Sequence, residues 1–406
     1  MNATGFADSP VPSWLCHRLR QAGGVVPFRT YMEWVLHDPQ HGAYGSGRLR
    51  IGPGGDFATS PSLGPEFAAL LVPQLAQWLE ALDGPLALVE TGPGEGELAA
   101  QLAEALAAGW PELARRCELV LVETSPGMIE RQRLRLGDCP LPLRWCSFEQ
   151  LAAAPVRGVV LAHEVLDALA VARIVWDGER WWEQGVALQE DAAGQPVLRL
   201  DCAGALPPEL ASWLLPPSSL AEHLGPDDRR FPDQLRPAGW SSELHPGLAP
   251  WLAGCAAAMA EGWLLVIDYA HEAPRYYAPQ RRNGTLMAYR AQRATDDPLR
   301  DPGQWDLTAH LCLESLEQAA SAAGWTPLGG RRQGEALLAL GLAGRLQALQ
   351  QGSPQQLADL LARREALLRL VDPLTLGDFR WVAFSRQPPA AGACTPLFLQ
   401  DPEPPS

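Results

Sequence analysis

The chain has 406 residues, 47% of them hydrophobic, and 32 basic against 47 acidic residues give a formal net charge of -15. That length admits one large domain with insertions or two domains, and the acidic balance argues against nucleic-acid phosphate as a partner while suiting a cationic one. Every basic residue is arginine, which excludes chemistry that needs a lysine amine, such as Schiff-base formation or phosphate cradling by a P-loop lysine.

The segment MNATGFADSPVPSW has neither a positive n-region nor an apolar run, so a cytoplasmic location is expected. The most apolar window, Phe67 to Val89, is broken by Pro73, Glu80, Asp83, Gly84 and Pro85, and no membrane insertion is expected. Cys16, Cys117, Cys139, Cys146, Cys202, Cys255, Cys312 and Cys394 form no C-x-x-C pair and read as reduced thiols. His37 and His41 stand four apart, yet Pro39 and Gly42 break the helix that would align them, and no metal site is expected.

In chain order, residues 1–12 read as loose, and Trp14 to Leu36 as two short helices around Gly23-Gly24. The stretch HDPQHGAYGSGRLRIGPGGDFATSPSLGPEF is too rich in glycine for a regular element and reads as a lid. A helix follows from about Pro65 to Leu82, with Thr59, Ser60 and Ser62 available as caps and Pro73 inside it. Strands are predicted at Leu86 to Val89, Glu118 to Glu123, Leu143 to Trp145 and a run ending at Ala162, with a helix from Leu98 to Ala107. A hairpin is expected around Asp177-Gly178 in a Trp-rich insertion, and the sheet resumes at Trp263 to Asp268 and Phe379 to Phe384. These elements predict an α/β, doubly wound, Rossmann-like sheet. Its parts divide as an arm and lid at 1–82, a core at 83–172, an inserted substrate or partner region at 173–262, a return to the sheet at 263–386 and a Pro-rich tail at 387–406.

After the first strand stands Glu90-Thr91-Gly92-Pro93-Gly94-Glu95-Gly96. Glycines at alternate positions let the chain reverse tightly and bring its backbone against a ligand. The spacing E-x-G-x-G-x-G differs from the G-x-G-x-x-G of dinucleotide folds and matches class I methyltransferases that bind S-adenosyl-L-methionine. Glu123, ending the second strand, stands where an acid can accept from ribose hydroxyls, and Phe148 with Glu149 lie where adenine contacts fall in this fold. At the end of the fourth strand, His163, Glu164 and Asp167 would face the cofactor crevice, the two acids on one face of a helical turn. Paired carboxylates can hold a guanidinium and accept its proton, but capping and ion-pairing roles for them stay open, as do base, packing and ligand roles for His163.

Several motifs in order, among them HDPQHGAYGSG, GGDFATSP, ETGPGEGELAAQL, LVETSP, HEVLDALAVARIVW, LLVIDYA, GTLMAY and PGQWDLTAHL, resemble the MidA-like family over about Trp14 to Arg386. That family includes mitochondrial complex I assembly factors acting as protein arginine methyltransferases. The resemblance implies a seven-stranded methyltransferase sheet, S-adenosyl-L-methionine as cofactor, and symmetric dimethylation of an arginine on a respiratory dehydrogenase subunit. It places Gly55, Asp56, Phe57 and Thr59 in a segment folded over the site, matches Asp268-Tyr269 to a post-strand pair, and matches Asp306, Thr308 and His310 to a D-x-T-x-H motif. The chain departs from the family at His163, where Asn is usual, and at Ala170, Ala270 and Met287. A small-molecule acceptor, or a non-catalytic assembly role, remains the alternative.

Overall fold

Six consecutive buried positions from Leu86 to Thr91 form an interior strand of a seven-stranded sheet, the pattern of a strand covered on both faces. The computed structural model describes residues 10–52, 54–214, 236–351, 355, 357–387 and 395–401. Residues 1–9 of the loose stretch expected at 1–12, Cys394 and most of the expected tail lie outside the described residues.

The strands are β1 Leu86–Thr91, β2 Cys117–Val122, β3 Leu143–Cys146, β4 Val156–His163, β5 Met259–Asp268, β6 Thr326–Arg332 and β7 Arg380–Arg386. Their order across the sheet is β6-β7-β5-β4-β1-β2-β3. The first five run parallel, while β7 is antiparallel to both β5 and β6. The order reverses between β1 and β4, and ligands of open α/β sheets bind at such a switch point, outside the carboxyl ends of the strands. The expected doubly wound α/β fold is therefore present.

Helices α1 Glu66–Glu80, α2 Glu97–Gly109, α3 Pro126–Arg135 and α4 Phe148–Ala152 accompany the first four strands. The core packs large rings tightly: Trp78 stacks on Trp263 at 5.8 Å, and Phe67 meets Trp381 edge-on at 6.0 Å. Helix α1 runs through Pro73, but its expected caps do other work. Pro65 occupies the cap position, Ser62 Oγ bonds the backbone of Thr59, and Ser60 Oγ accepts from Gln333 Nε2 at 3.2 Å.

The chain forms two units, each assembled from three separate segments. One comprises Arg50–Leu166, Ala249–Ala270 and Ala319–Ser406 and holds the large sheet; the other comprises Met1–Leu49, Asp167–Leu248 and His271–Gln318. These divisions fall at 49/50 and 166/167, where the sequence patterns suggested 82/83 and 172/173, because unit membership follows long-range pairing that local periodicity does not carry. In the second unit the expected hairpin is formed by Ala172–Trp176 and Trp181–Glu190, with Trp176 opposite Trp181. Val25–Pro27, a strand not predicted, pairs with the same long strand, and Pro196–Ala205 pairs with it as well. No helix among the described residues is long and apolar enough to cross a membrane.

Candidate functional site

The switch point is lined first by the glycine loop between β1 and α2. Gly92, Gly94 and Gly96 have φ of 57°, 51° and 79°, a left-handed run open to glycine and costly for other residues. A Cβ on Gly94 would lie 2.8 Å from Ile51 Cδ1, and one on Gly92 would lie 3.0 Å from Val165 Cγ2. The loop is thus covered from two sides. Helix α2 opens on Gly96, which has no side chain to cap its amides.

Ile51 belongs to the segment expected to fold over the site. Asp56 closes this segment on itself: its amide donates to Arg50 O at 2.7 Å and its carboxylate accepts from Arg50 N at 3.0 Å. Gly52 N donates to Phe57 O at 2.8 Å, and Ile51 bridges Phe57. Asp56, Phe57 and Thr59 therefore shape this segment through contacts within it, Thr59 through its backbone bond to Ser62 Oγ.

At the floor of the loop, Glu90 is buried with Oε2 lacking a hydrogen-bond partner among the described residues. Burial pushes its carboxyl up to about 8. Glu123, just beyond β2, takes amides of Thr124 and Ser125 on Oε1, each at 2.8 Å, and faces Gln132 Nε2 at 3.3 Å with Oε2. Gln132 gave no sequence signal, yet it joins the loop to two strand ends. Its Nε2 donates to Gly94 O at 2.8 Å, and its Oε1 accepts from Trp145 Nε1 at 3.0 Å. Phe148 starts α4 and packs edge-on to Trp251 at 6.1 Å, whereas Glu149 is exposed, its carboxyl lowered by the Ser147 hydroxyl.

At the end of β4, Glu164 takes a φ of 53°, uncommon for a residue with a side chain. The helical turn expected to put Glu164 and Asp167 on one face is not formed. Asp268, ending β5, explains the irregular course: its Oδ2 accepts from Val165 N at 3.2 Å and Leu166 N at 2.9 Å. His163 Nε2 stands 3.5 Å from Glu164 Oε1. The ring is buried between Phe67 and Phe379, and desolvation lowers its pKa to about 3. A neutral, enclosed imidazole is ill suited to taking up protons, and it makes no hydrogen bond to Glu164 across that distance.

Asp167 lies in the other unit, buried, with its carbonyl accepting from Ala309 N at 3.0 Å. There Tyr44 Oη donates to Asp306 Oδ1 at 2.9 Å, and the Tyr289 phenol is raised first by burial and then by the charges of Asp167 and Asp306. The D-x-T-x-H motif thereby acquires a structural account. His310 N donates to Thr285 Oγ1 at 3.0 Å, and His310 Nδ1 meets His271 Nε2 at 3.0 Å. His37 stacks on Tyr44 and His41 on Trp14, and no group of three or more metal-binding side chains is found among the described residues.

Residues 70–330 match the family model described as "Putative S-adenosyl-L-methionine-dependent methyltransferase". The chain belongs to this methyltransferase family. A crystal structure from Burkholderia thailandensis with S-adenosyl-homocysteine bound is similar to it at 30% identity and a TM-score of 0.76, covering 96% of this chain and 94% of that one. Two curated relatives are more distant. Protein arginine methyltransferase NDUFAF7, mitochondrial, of Xenopus tropicalis is 26% identical over 349 residues, which is 80% of this chain and 74% of the relative. The Drosophila melanogaster homolog is 27% identical over 400 residues, 89% and 81% respectively.

The methyltransferase uses S-adenosyl-L-methionine, and its own residues fit that group. The side-chain-free loop at Gly92, Gly94 and Gly96 and the buried carboxyl of Glu90 are the features a bound cofactor would meet. Glu123 lies at the strand end where a ribose would be held, its Oε1 fixed by backbone amides.

Proposed function

We propose that this methyltransferase transfers a methyl group to an arginine side chain of a protein, a subunit of a respiratory NADH dehydrogenase, during assembly of that complex. The observation that carries the proposal is Glu164, held in a left-handed conformation at the carboxyl end of β4 beside a neutral His163. Functional sites are where such backbone strain gathers. The two relatives whose names state arginine methylation support the choice of acceptor.

A carboxylate pairs with the fork of guanidinium donors and fixes its plane. The bound cofactor supplies an electrophilic methyl group on its sulfonium. Arginine stays protonated at neutral pH, so the nitrogen that gains the methyl group has to lose a proton, and in this reading the Glu164 carboxylate receives it. Symmetric dimethylation is the expected product. A cytoplasmic location belongs to the same proposal and suits the seven described cysteines, all free thiols.

The test combines two variants. Calorimetric titration with S-adenosyl-L-methionine should show binding that Gly94→Val abolishes, since valine would strike Ile51 and has no easy access to φ 51°. Respiratory dehydrogenase purified from cells lacking this gene should gain methylarginine when incubated with the enzyme, as read by mass spectrometry. Glu164→Gln should slow that transfer by roughly a hundredfold or more while cofactor binding persists. Cofactor binding with no methylarginine formed would reject a dehydrogenase acceptor, and label in a small molecule instead would select the other acceptor class.

A further inference from the structure

Glu164 would be an unstable feature if nothing held it. Left-handed backbone is costly for a residue with a side chain, and it persists only where the surroundings over-determine it. Three contacts do so here, all within the sheet-bearing unit. Glu164 N donates to Ile267 O at 2.9 Å, extending the β4–β5 pairing one residue past the end of β4. The next two amides, of Val165 and Leu166, turn the other way and converge on one oxygen of Asp268, at 3.2 and 2.9 Å. The second oxygen of Asp268 accepts from Tyr269 N at 2.8 Å, which fixes the carboxylate itself. Asp268 is 1% exposed, and hydrogen bonds buried away from water are the strong kind.

The clamp reaches the glycine loop as well. Val165, whose amide Asp268 holds, is the residue that a Cβ on Gly92 would touch at 3.0 Å. One carboxylate at the end of β5 therefore sets the backbone of Glu164 and the position of the side chain resting on the loop.

From this geometry we infer that Asp268 is a positioning residue for methyl transfer: it holds the Glu164 turn in its strained form against the glycine loop. The inference rests on the proposed role of Glu164, and it assigns the source of that residue's preorganisation. A misplacement of about 1 Å away from the reacting atoms can cost roughly a hundredfold in rate, so the clamp should be visible in kcat.

The experiment uses the full chain and three variants, Asp268→Ala, Asp268→Asn and Glu164→Gly. Transfer of radiolabelled methyl groups to respiratory dehydrogenase from cells lacking this gene is measured beside calorimetric binding of S-adenosyl-L-methionine. Asp268→Ala should lower kcat about a hundredfold, and Asp268→Asn, which keeps one acceptor oxygen for the two amides, about tenfold, with the cofactor Kd within about threefold for both. Asparagine no better than alanine, or an unchanged kcat in either variant, would overturn the inference. The second readout needs no acceptor and stands even if the dehydrogenase is not the substrate. Urea unfolding of Asp268→Asn is compared in the wild-type and Glu164→Gly backgrounds, because glycine adopts the left-handed turn without being held. The loss of midpoint caused by Asp268→Asn should shrink by at least about half in the glycine background. Equal losses in both backgrounds would mean that Asp268 and Glu164 are uncoupled, and the clamp would be rejected.

Discussion

Glu90 and His163 sit at the ends of adjacent strands with protonation set by burial in opposite senses. The Glu90 carboxyl is raised from 4.5 to about 8, so the folded chain keeps a proton that the unfolded chain has lost across that window. Its contribution favours the cofactor-free fold below pH 4.5 and is lost as pH rises through 8. His163 is lowered from 6.5 to about 3, so its contribution is present above 6.5 and is lost as pH falls towards 3. Glu90→Gln should therefore flatten the fall in unfolding free energy between pH 5 and 8, which for a single proton is at most about 1.4 kcal/mol per pH unit. Urea titrations at a series of pH values check this, and an unaltered slope would place the cause elsewhere. At this scale the sequence discloses residues whose chemistry is backbone-borne. Gly92, Gly94 and Gly96 stand out because their spacing is local. Gln132 does not, and Asp268 does so only through the family resemblance, which gives it no role, because Gln132 acts on Gly94, 38 positions away, and Asp268 acts on Leu166, 102 positions away.

Elements were legible where burial is uniform along a strand. Strands β1, β2, β4 and β5 are nearly continuous apolar runs, and each was predicted within a few residues of its observed limits. β6 was not predicted, since TPLGGRR carries a proline and two glycines and no position in it is fully buried; its strand form comes from pairing with β7. The expected turn of helix at Glu164 failed for a related reason: three hydrogen bonds to two residues of β5, Ile267 and Asp268, outweigh local helical preference. One strand position makes a sharp prediction. A Cβ on Gly158 would lie 1.9 Å from Ala87 O, on the neighbouring strand, and φ there is 148°. Gly158→Ala should cost about 3 kcal/mol or more, visible as a clear drop in the urea midpoint, whereas Gly109→Ala, with open space around it, should leave stability within about 0.5 kcal/mol or raise it slightly.

For the whole molecule, local patterns gave the fold class but not the partition of the chain. The two units interleave, and the chain passes from one to the other at 49/50, 166/167, 248/249, 270/271 and 318/319. Each passage is dictated by pairing between distant segments, which no window of sequence displays. The sheet is interleaved in the same way, for β7 is the last of its strands in sequence and lies between β5 and β6. A chain stopped after Phe379 would leave the apolar β5 with an open edge and β6 without its partner, and an open apolar edge is a known route to aggregation. Expression of that truncation should yield little soluble protein beside a full-length control, and a soluble, cofactor-binding truncation would show that β7 is dispensable. The strand order also constrains synthesis. While the ribosome is still decoding Arg380–Arg386, the five parallel strands that precede it lack the one that seals their flank, so the half-made sheet is open to misassociation during synthesis.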